Sequence, residues 1–129
     1  MYRWLVVWLP AIFWMAMIFY SSSQYSTELA PSYELDFIIH KTIHVIVFSI
    51  LYLLLFRALY LTKNKSTSRN RTFQTAAVFA LFYALSDELH QTFVPTRTGK
   101  LRDVGFDAIG IFFMYILIKQ YFSILKRFL

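Results

Sequence analysis

Apolar residues fall into four long runs, separated by short polar stretches. The first run is Leu5 to Tyr20, entered after Arg3 and closed by Ser21, Ser22, Ser23 and Gln24. The second spans about Phe37 to Leu61, the third about Phe73 to Val94 and the fourth about Val104 to Phe122. A bilayer span needs ~20 residues at 1.5 Å rise each. The pattern therefore predicts helices over about 4–21, 37–60, 73–94 and 103–123. The expected fold class is all-α, an integral membrane four-helix bundle forming one domain over residues 1–129. The first run could also be a cleaved secretory signal, but Trp4, Trp8, Phe13 and Trp14 make it bulky and no small-x-small site follows. A retained helix is expected.

Composition supports the membrane reading. Hydrophobic residues make up 58% of the chain and charged ones 16%, with a mean hydropathy of +0.51. A soluble domain of this length leaves too much surface in water to hide that apolar content; a bilayer does not. Fourteen Phe, nine Tyr and three Trp suit lipid contact and interfacial anchoring. The absence of cysteine excludes disulfides, thiolate ligands and thiol nucleophiles. The net charge of +6 would suggest nucleic acid in a soluble protein. Here the cations sit between apolar runs, so membrane lipid is the expected partner and nucleic acid is not.

Loop charges predict the orientation. The first loop holds Glu28, Glu34 and Asp36 and no Lys or Arg, whereas the second holds Lys63, Lys65, Arg69 and Arg71. Arg3 lies near one terminus, and Lys119, Lys126 and Arg127 near the other. A cell-membrane protein with both termini and the second loop in the cytoplasm follows from the positive-inside bias. The third loop is then outside despite Arg97, Lys100 and Arg102, which points to a role for those cations beyond topology.

Two of the predicted spans are too polar to be simple anchors. The second must take in Lys41 and His44 to reach full length, and the third must take in Ser86, Asp87, Glu88, His90 and Gln91. Ionisable groups in a membrane are costly and usually face a bundle interior or cavity. Ala76, Ala80 and Ala84 recur every four residues, a small-residue stripe suited to close helix contact. Another turn reaches Glu88, with Asp87 and Gln91 beside it. On the fourth run Asp103, Asp107 and Gly110 share a face. Folded antiparallel, the four helices gather Lys41, His44, Asp87, Glu88, His90, Gln91, Arg97, Asp103 and Asp107 at one end, beside Ser21 to Gln24.

These residues carry a recognisable pattern. The chain resembles the VanZ-like family of small membrane proteins, through Ile18-Phe-Tyr-Ser-Ser-Ser-Gln24, Ser86-Asp-Glu-Leu-His-Gln-Thr-Phe-Val-Pro-Thr-Arg97, Asp103, Asp107-x-x-Gly110 and the weaker Lys41-x-x-His44. The resemblance implies a cell-envelope protein and a link to glycopeptide (teicoplanin) resistance. It departs from the family pattern at His40, where Asp is common, at Asp107, where Asn is common, and at Met114, where a second glycine is common. Asp36, one turn from Lys41, is the expected substitute partner for that lysine.

Competing assignments follow from the same residues. Asp103 suits the start of a helix as a cap. Lys41 and Arg97 could serve only to neutralise Asp87, Glu88 and Asp107 in a network that fixes bundle geometry. Arg97 looks least structural, since its fork suits phosphate or carboxylate. No metal is expected: His40 and His44 have the spacing of a zinc-protease helix, but Lys41 stands where its glutamate belongs and would repel a dication. Thr96-Arg-Thr-Gly-Lys100 lacks the spacing of a phosphate loop, so no nucleotide cofactor is expected either.

The leading expectation is an outward-facing polar pocket for an anionic lipid-linked cell-wall precursor or a lipoglycopeptide. Lys41 and Arg97 would hold phosphate or carboxylate, with His44, Asp87, Gln91, Asp103 and Asp107 completing the ligand-binding set. Glu88 and His90 are the candidates for proton transfer if the protein is instead an enzyme on an envelope substrate. A purely structural membrane protein is the third possibility.

Overall fold

The computed structural model describes residues 2–24, 29, 31–95, 97 and 99–127. Glu28, Thr96 and Thr98, which entered the loop-charge and phosphate-loop arguments, lie outside the described residues, as does the side chain of Arg3. The described chain forms an all-α four-helix bundle with α1 at Tyr2–Ser22, α2 at Tyr33–Thr62, α3 at Arg69–Gln91 and α4 at Leu101–Leu125.

Local chemistry sets the helix starts. Ser32 and Ser68 stand before α2 and α3 in extended conformation, and their hydroxyls accept from the amides of Leu35 and Arg71. Each serine satisfies an otherwise orphaned N-terminal donor. Glu34 and Asp36 occupy the first turn of α2, where negative charge suits the helix dipole. These caps carry α2 and α3 about four residues beyond the starts expected from hydropathy alone. At the other end α3 stops at Gln91 rather than Val94. Pro95 disfavours helical backbone at the residue before it, and the amides of Thr92, Phe93 and Val94 turn back onto Leu89, His90 and Gln91.

Packing inverts the usual volume order of a soluble protein. On α3 the alanines Ala76, Ala80 and Ala84 are fully buried, while Val78, Phe79, Phe82, Leu85 and Leu89 are exposed. Phe82 is 72% exposed and Ala80 not at all. Large residues outside and small ones inside fit a helix whose outer face meets lipid and whose inner face admits a neighbour closely. Three of the helices, α1, α2 and α4, are long and apolar enough to cross a membrane. The fourth, α3, has the length, about 35 Å at 1.5 Å per residue, but carries Arg69 and Arg71 at one end and Asp87 and Glu88 at the other.

Helix α2 is the axis of the bundle. It packs against α1, α3 and α4, whereas α1 touches only α2 and α3. At 30 residues it is longer than the hydrocarbon thickness requires. The α2–α4 crossing is tight at Gly110, where a Cβ would collide with the carbonyl of Val45. Ser49 Oγ lies 2.8 Å from the carbonyl oxygens of both Val45 and Gly110, stitching the crossing together. Trp14 ties α1 to α2 through its indole N–H, 3.0 Å from the Val47 carbonyl. Tyr83 ties α1 to α3 through its hydroxyl, 2.6 Å from the Met15 carbonyl.

Candidate functional site

One end of the bundle is polar. There α1 and α3 finish and α2 and α4 begin, and the helix faces set by the alanine stripe and Gly110 bring Ser22, Asp87, Glu88, Gln91, Asp103 and Asp107 into the interior. All six are buried. Among the described residues, two ion pairs here cross between α2 and α4, and the pairing differs from the one expected.

Lys41 pairs with Asp103, its Nζ 2.7 Å from Oδ2, and not with Asp36. Its ammonium also lies 5.4 Å and 5.7 Å from the ring centroids of Phe37 and Phe106. Asp36 instead faces His40 at 3.3 Å and accepts from the Leu29 amide at 2.6 Å. Asp103 is not the cap of α4: Lys100 holds that position without a side-chain bond, and Asp103 lies in the first turn, directed across to α2. His44 Nδ1 is 2.9 Å from Asp107 Oδ1. Asp87 takes a hydrogen bond from the Gln91 amide at 2.9 Å, and the same amide reaches Ser22 Oγ at 3.4 Å. Glu88 Oε2 accepts from the backbone amide of Lys100 at 2.8 Å.

Neither Lys41 nor Arg97 neutralises Asp87, Glu88 or Asp107. Arg97 donates to main-chain oxygens at the end of α1, through Nε to Gln24 at 2.9 Å and through Nη2 to Ser21 at 3.1 Å. A helix end leaves such carbonyls without internal partners, so part of the guanidinium fork has a structural task. His90 also faces α1. Its Nε2 is 3.0 Å from Ser23 Oγ and its ring stacks on Phe19 at 4.4 Å between centroids. Two positions along a helix differ by about 200° of rotation, which is why His90 and Glu88 point to opposite sides of α3.

Burial leaves a deficit. Glu88 Oε1, Asp103 Oδ1 and Asp107 Oδ2 have no hydrogen-bond partner among the described residues. Arg102 Nε stands 4.0 Å from Asp103 Oδ1, too far for a hydrogen bond. His44, Glu88 and Asp107 each place one donor atom within 4.8 Å of the other two, which makes them the group with metal-ligand spacing. His40, which has zinc-protease spacing to His44 in the sequence, is not part of this group and turns to Asp36.

Two cavities open onto this cluster. The larger, about 470 Å³, lies between α1, α2 and α3; Trp14, Ile18 and Val47 line its apolar part and Ser22, His44 and Arg97 its polar part. The smaller, about 180 Å³, is lined by Lys41, Arg97, Lys100 and Arg102 together with Asp36 and Asp103. His40, His44, Gln91 and Arg97 line both.

Sequence reasoning missed Gly99. A Cβ there would run into the Glu88 carbonyl oxygen and the Thr92 side chain, so glycine is what lets the α3–α4 loop fold back onto α3. It also missed Lys100 as a main-chain donor, which no side-chain pattern can signal.

Among known proteins, a family model described as VanZ/LLP1 matches residues 7–126. The match runs from within α1 through the end of α4, and the chain belongs to that family. No curated protein and no solved structure matches the chain.

Proposed function

We propose that this VanZ/LLP1 protein lies in the cell membrane with both termini cytoplasmic, and that its polar end faces outward to hold an anionic lipid-linked ligand. The observation that carries the reading is the pair of adjacent cavities, which share His40, His44, Gln91 and Arg97 in their walls. The larger couples an apolar wall, made by Trp14, Ile18 and Val47, to a polar mouth. The smaller gathers Lys41, Arg97, Lys100 and Arg102 around that mouth, against two carboxylates. An amphipathic molecule with a phosphate or carboxylate beside a hydrocarbon chain matches both parts. A lipid-linked cell-wall precursor and a lipoglycopeptide share that chemistry. A change in tolerance to teicoplanin is the expected phenotype.

Because Lys41 is engaged with Asp103 and Arg97 with α1, the exposed Lys100 and Arg102 are the cations freest to meet an anionic headgroup. The test is retention of phosphate-bearing lipid by the detergent-purified protein, measured by mass spectrometry and by titration with a short-chain phosphatidic acid. Replacing Lys100 and Arg102 with Gln removes two cations near the headgroup, at about 1 kcal/mol each. We expect roughly thirtyfold weaker binding, with the helical spectrum and melting temperature unchanged. Val47→Trp, which fills the apolar part of the large cavity, should displace the chain. Unchanged lipid affinity in both variants would overturn the proposal.

An enzymatic reading finds support in Glu88 alone, whose free Oε1 could exchange a proton. The placement of His90 against Ser23 and Phe19 gives no support to a Glu88–His90 acid–base pair.

A further inference from the structure

Charge is the least balanced property of the polar end. Asp87, Glu88, Asp103 and Asp107 are buried together. Lys41 neutralises Asp103. Gln91 supplies Asp87 with an amide donor but no charge. Glu88 and Asp107 each have one oxygen held, by the Lys100 amide and by His44 respectively. Their other oxygens, Oε1 and Oδ2, are buried without a partner among the described residues. Glu88 is 5% exposed and Asp107 fully buried, so bulk water does not reach these oxygens freely. Buried carboxylates left in this condition cost several kcal/mol unless something neutralises them.

We propose that His44, Glu88 and Asp107 form a binding site for a divalent transition-metal ion of the zinc or manganese type. Each residue comes from a different helix, α2, α3 and α4, and their donor atoms lie within 4.8 Å of one another. Ligands held at about 2.0–2.2 Å from a single zinc ion sit about 3–4 Å apart, so small side-chain adjustments close the site. A neutral imidazole and two carboxylates balance a dication. The mixed nitrogen and oxygen set favours zinc or manganese over magnesium and calcium, which take oxygen ligands throughout.

The objection that Lys41 repels a dication loses its force, because that ammonium is held 2.7 Å from Asp103. The Lys100 amide on Glu88 Oε2 orients the carboxylate as an outer-sphere partner does in metal sites. Three protein ligands leave coordination positions open; of the three, His44 lines both cavities, while Glu88 and Asp107 sit behind it in the bundle interior. The site does not depend on the lipid reading, since the protein supplies all of its ligands.

The experiment uses the full chain purified in detergent, stripped with chelator and titrated calorimetrically with Zn²⁺ and Mn²⁺, with Mg²⁺ and Ca²⁺ in parallel. We expect one Zn²⁺ per chain in the micromolar range, a rise in melting temperature on binding, and neither effect from equal Mg²⁺. Ligation requires the imidazole neutral, so affinity should fall as the pH is lowered. Glu88→Gln and Asp107→Asn should each weaken zinc binding by about tenfold or more, with folding verified in chelator by circular dichroism and gel filtration. X-ray absorption of the wild-type zinc complex should give a first shell of one imidazole with oxygen ligands, a measurement that stands even if a variant fails to fold. No zinc binding by wild type at millimolar metal would overturn the proposal, leaving protons to neutralise the carboxylates. So would a histidine-only shell, or equal affinity in both variants.

Discussion

At the scale of single residues, the polar end is governed by which donor each carboxylate obtains. Arg97 spends two of its N–H groups on the carbonyls of Ser21 and Gln24, a geometry an ammonium cannot reproduce. Arg97→Lys should therefore destabilise the fold by about 1–2 kcal/mol for two lost hydrogen bonds near the surface, read as a lower melting temperature. Glu88→Gln is expected to behave in the opposite sense. It removes a buried charge whose Oε1 has no partner, yet keeps an oxygen for the Lys100 amide. In chelator, Glu88→Gln should melt no lower than wild type while the teicoplanin tolerance proposed for the protein is lost. A matched loss of stability and phenotype would return Glu88 to a purely structural network. Residue identities made the cluster legible in the sequence, but not its pairing. Lys41 stands five residues from Asp36 and sixty-two from Asp103 in the chain, and only the α2–α4 crossing reveals that the distant acid is the partner.

At the scale of elements, the large core residues of α2, among them Phe48, Tyr52 and Phe56, are met by small residues on its neighbours that allow close approach. Ala80 lies on the buried face of α3 and Leu81 on the exposed one. Ala80→Leu should force α3 away from its neighbours, at a cost of about 1–3 kcal/mol or more for overpacking. Leu81→Ala exchanges one lipid contact for a smaller one and should be mild. Thermal melts of the two variants in the same detergent check the contrast; equal tolerance would mean that the stripe does not aim Glu88 inward. Gly110→Leu should be more severe than Ala80→Leu, because even a Cβ at 110 meets the Val45 carbonyl. Four-residue spacing made the alanine stripe legible, and the offset from Asp107 put Gly110 on the acid-bearing face, but its contact with Val45 appears only in the crossing. The caps were less legible from hydropathy. Ser32 and Ser68 sit in polar stretches, and their effect on helix length depends on backbone geometry.

At the scale of the whole molecule, the position of the cluster depends on which way the bundle crosses the membrane. The first loop bears acids and the second bears Lys63, Lys65, Arg69 and Arg71, an asymmetry from which the positive-inside bias predicts a cytoplasmic second loop. The polar end is opposite to it, so the same orientation exposes the cavities to the outside. Cysteine scanning decides the matter, because the chain has no cysteine of its own. Gly99 would be a natural probe position by sequence, but its Cβ would strike the Glu88 carbonyl and disturb the loop being measured. Lys100, Glu34 and Ser66 are exposed and accept the substitution without such a clash. An impermeant maleimide applied to intact cells should label cysteine at Glu34 and at Lys100, and should label Ser66→Cys only after the cells are opened. Labelling of Ser66→Cys in intact cells with silence at Lys100 would invert the bundle. The acid cluster would then face the cytoplasm, and a ligand from the outer leaflet could no longer reach Lys100 and Arg102. The zinc titration would be unaffected by that result, since it measures the purified protein and has no sidedness.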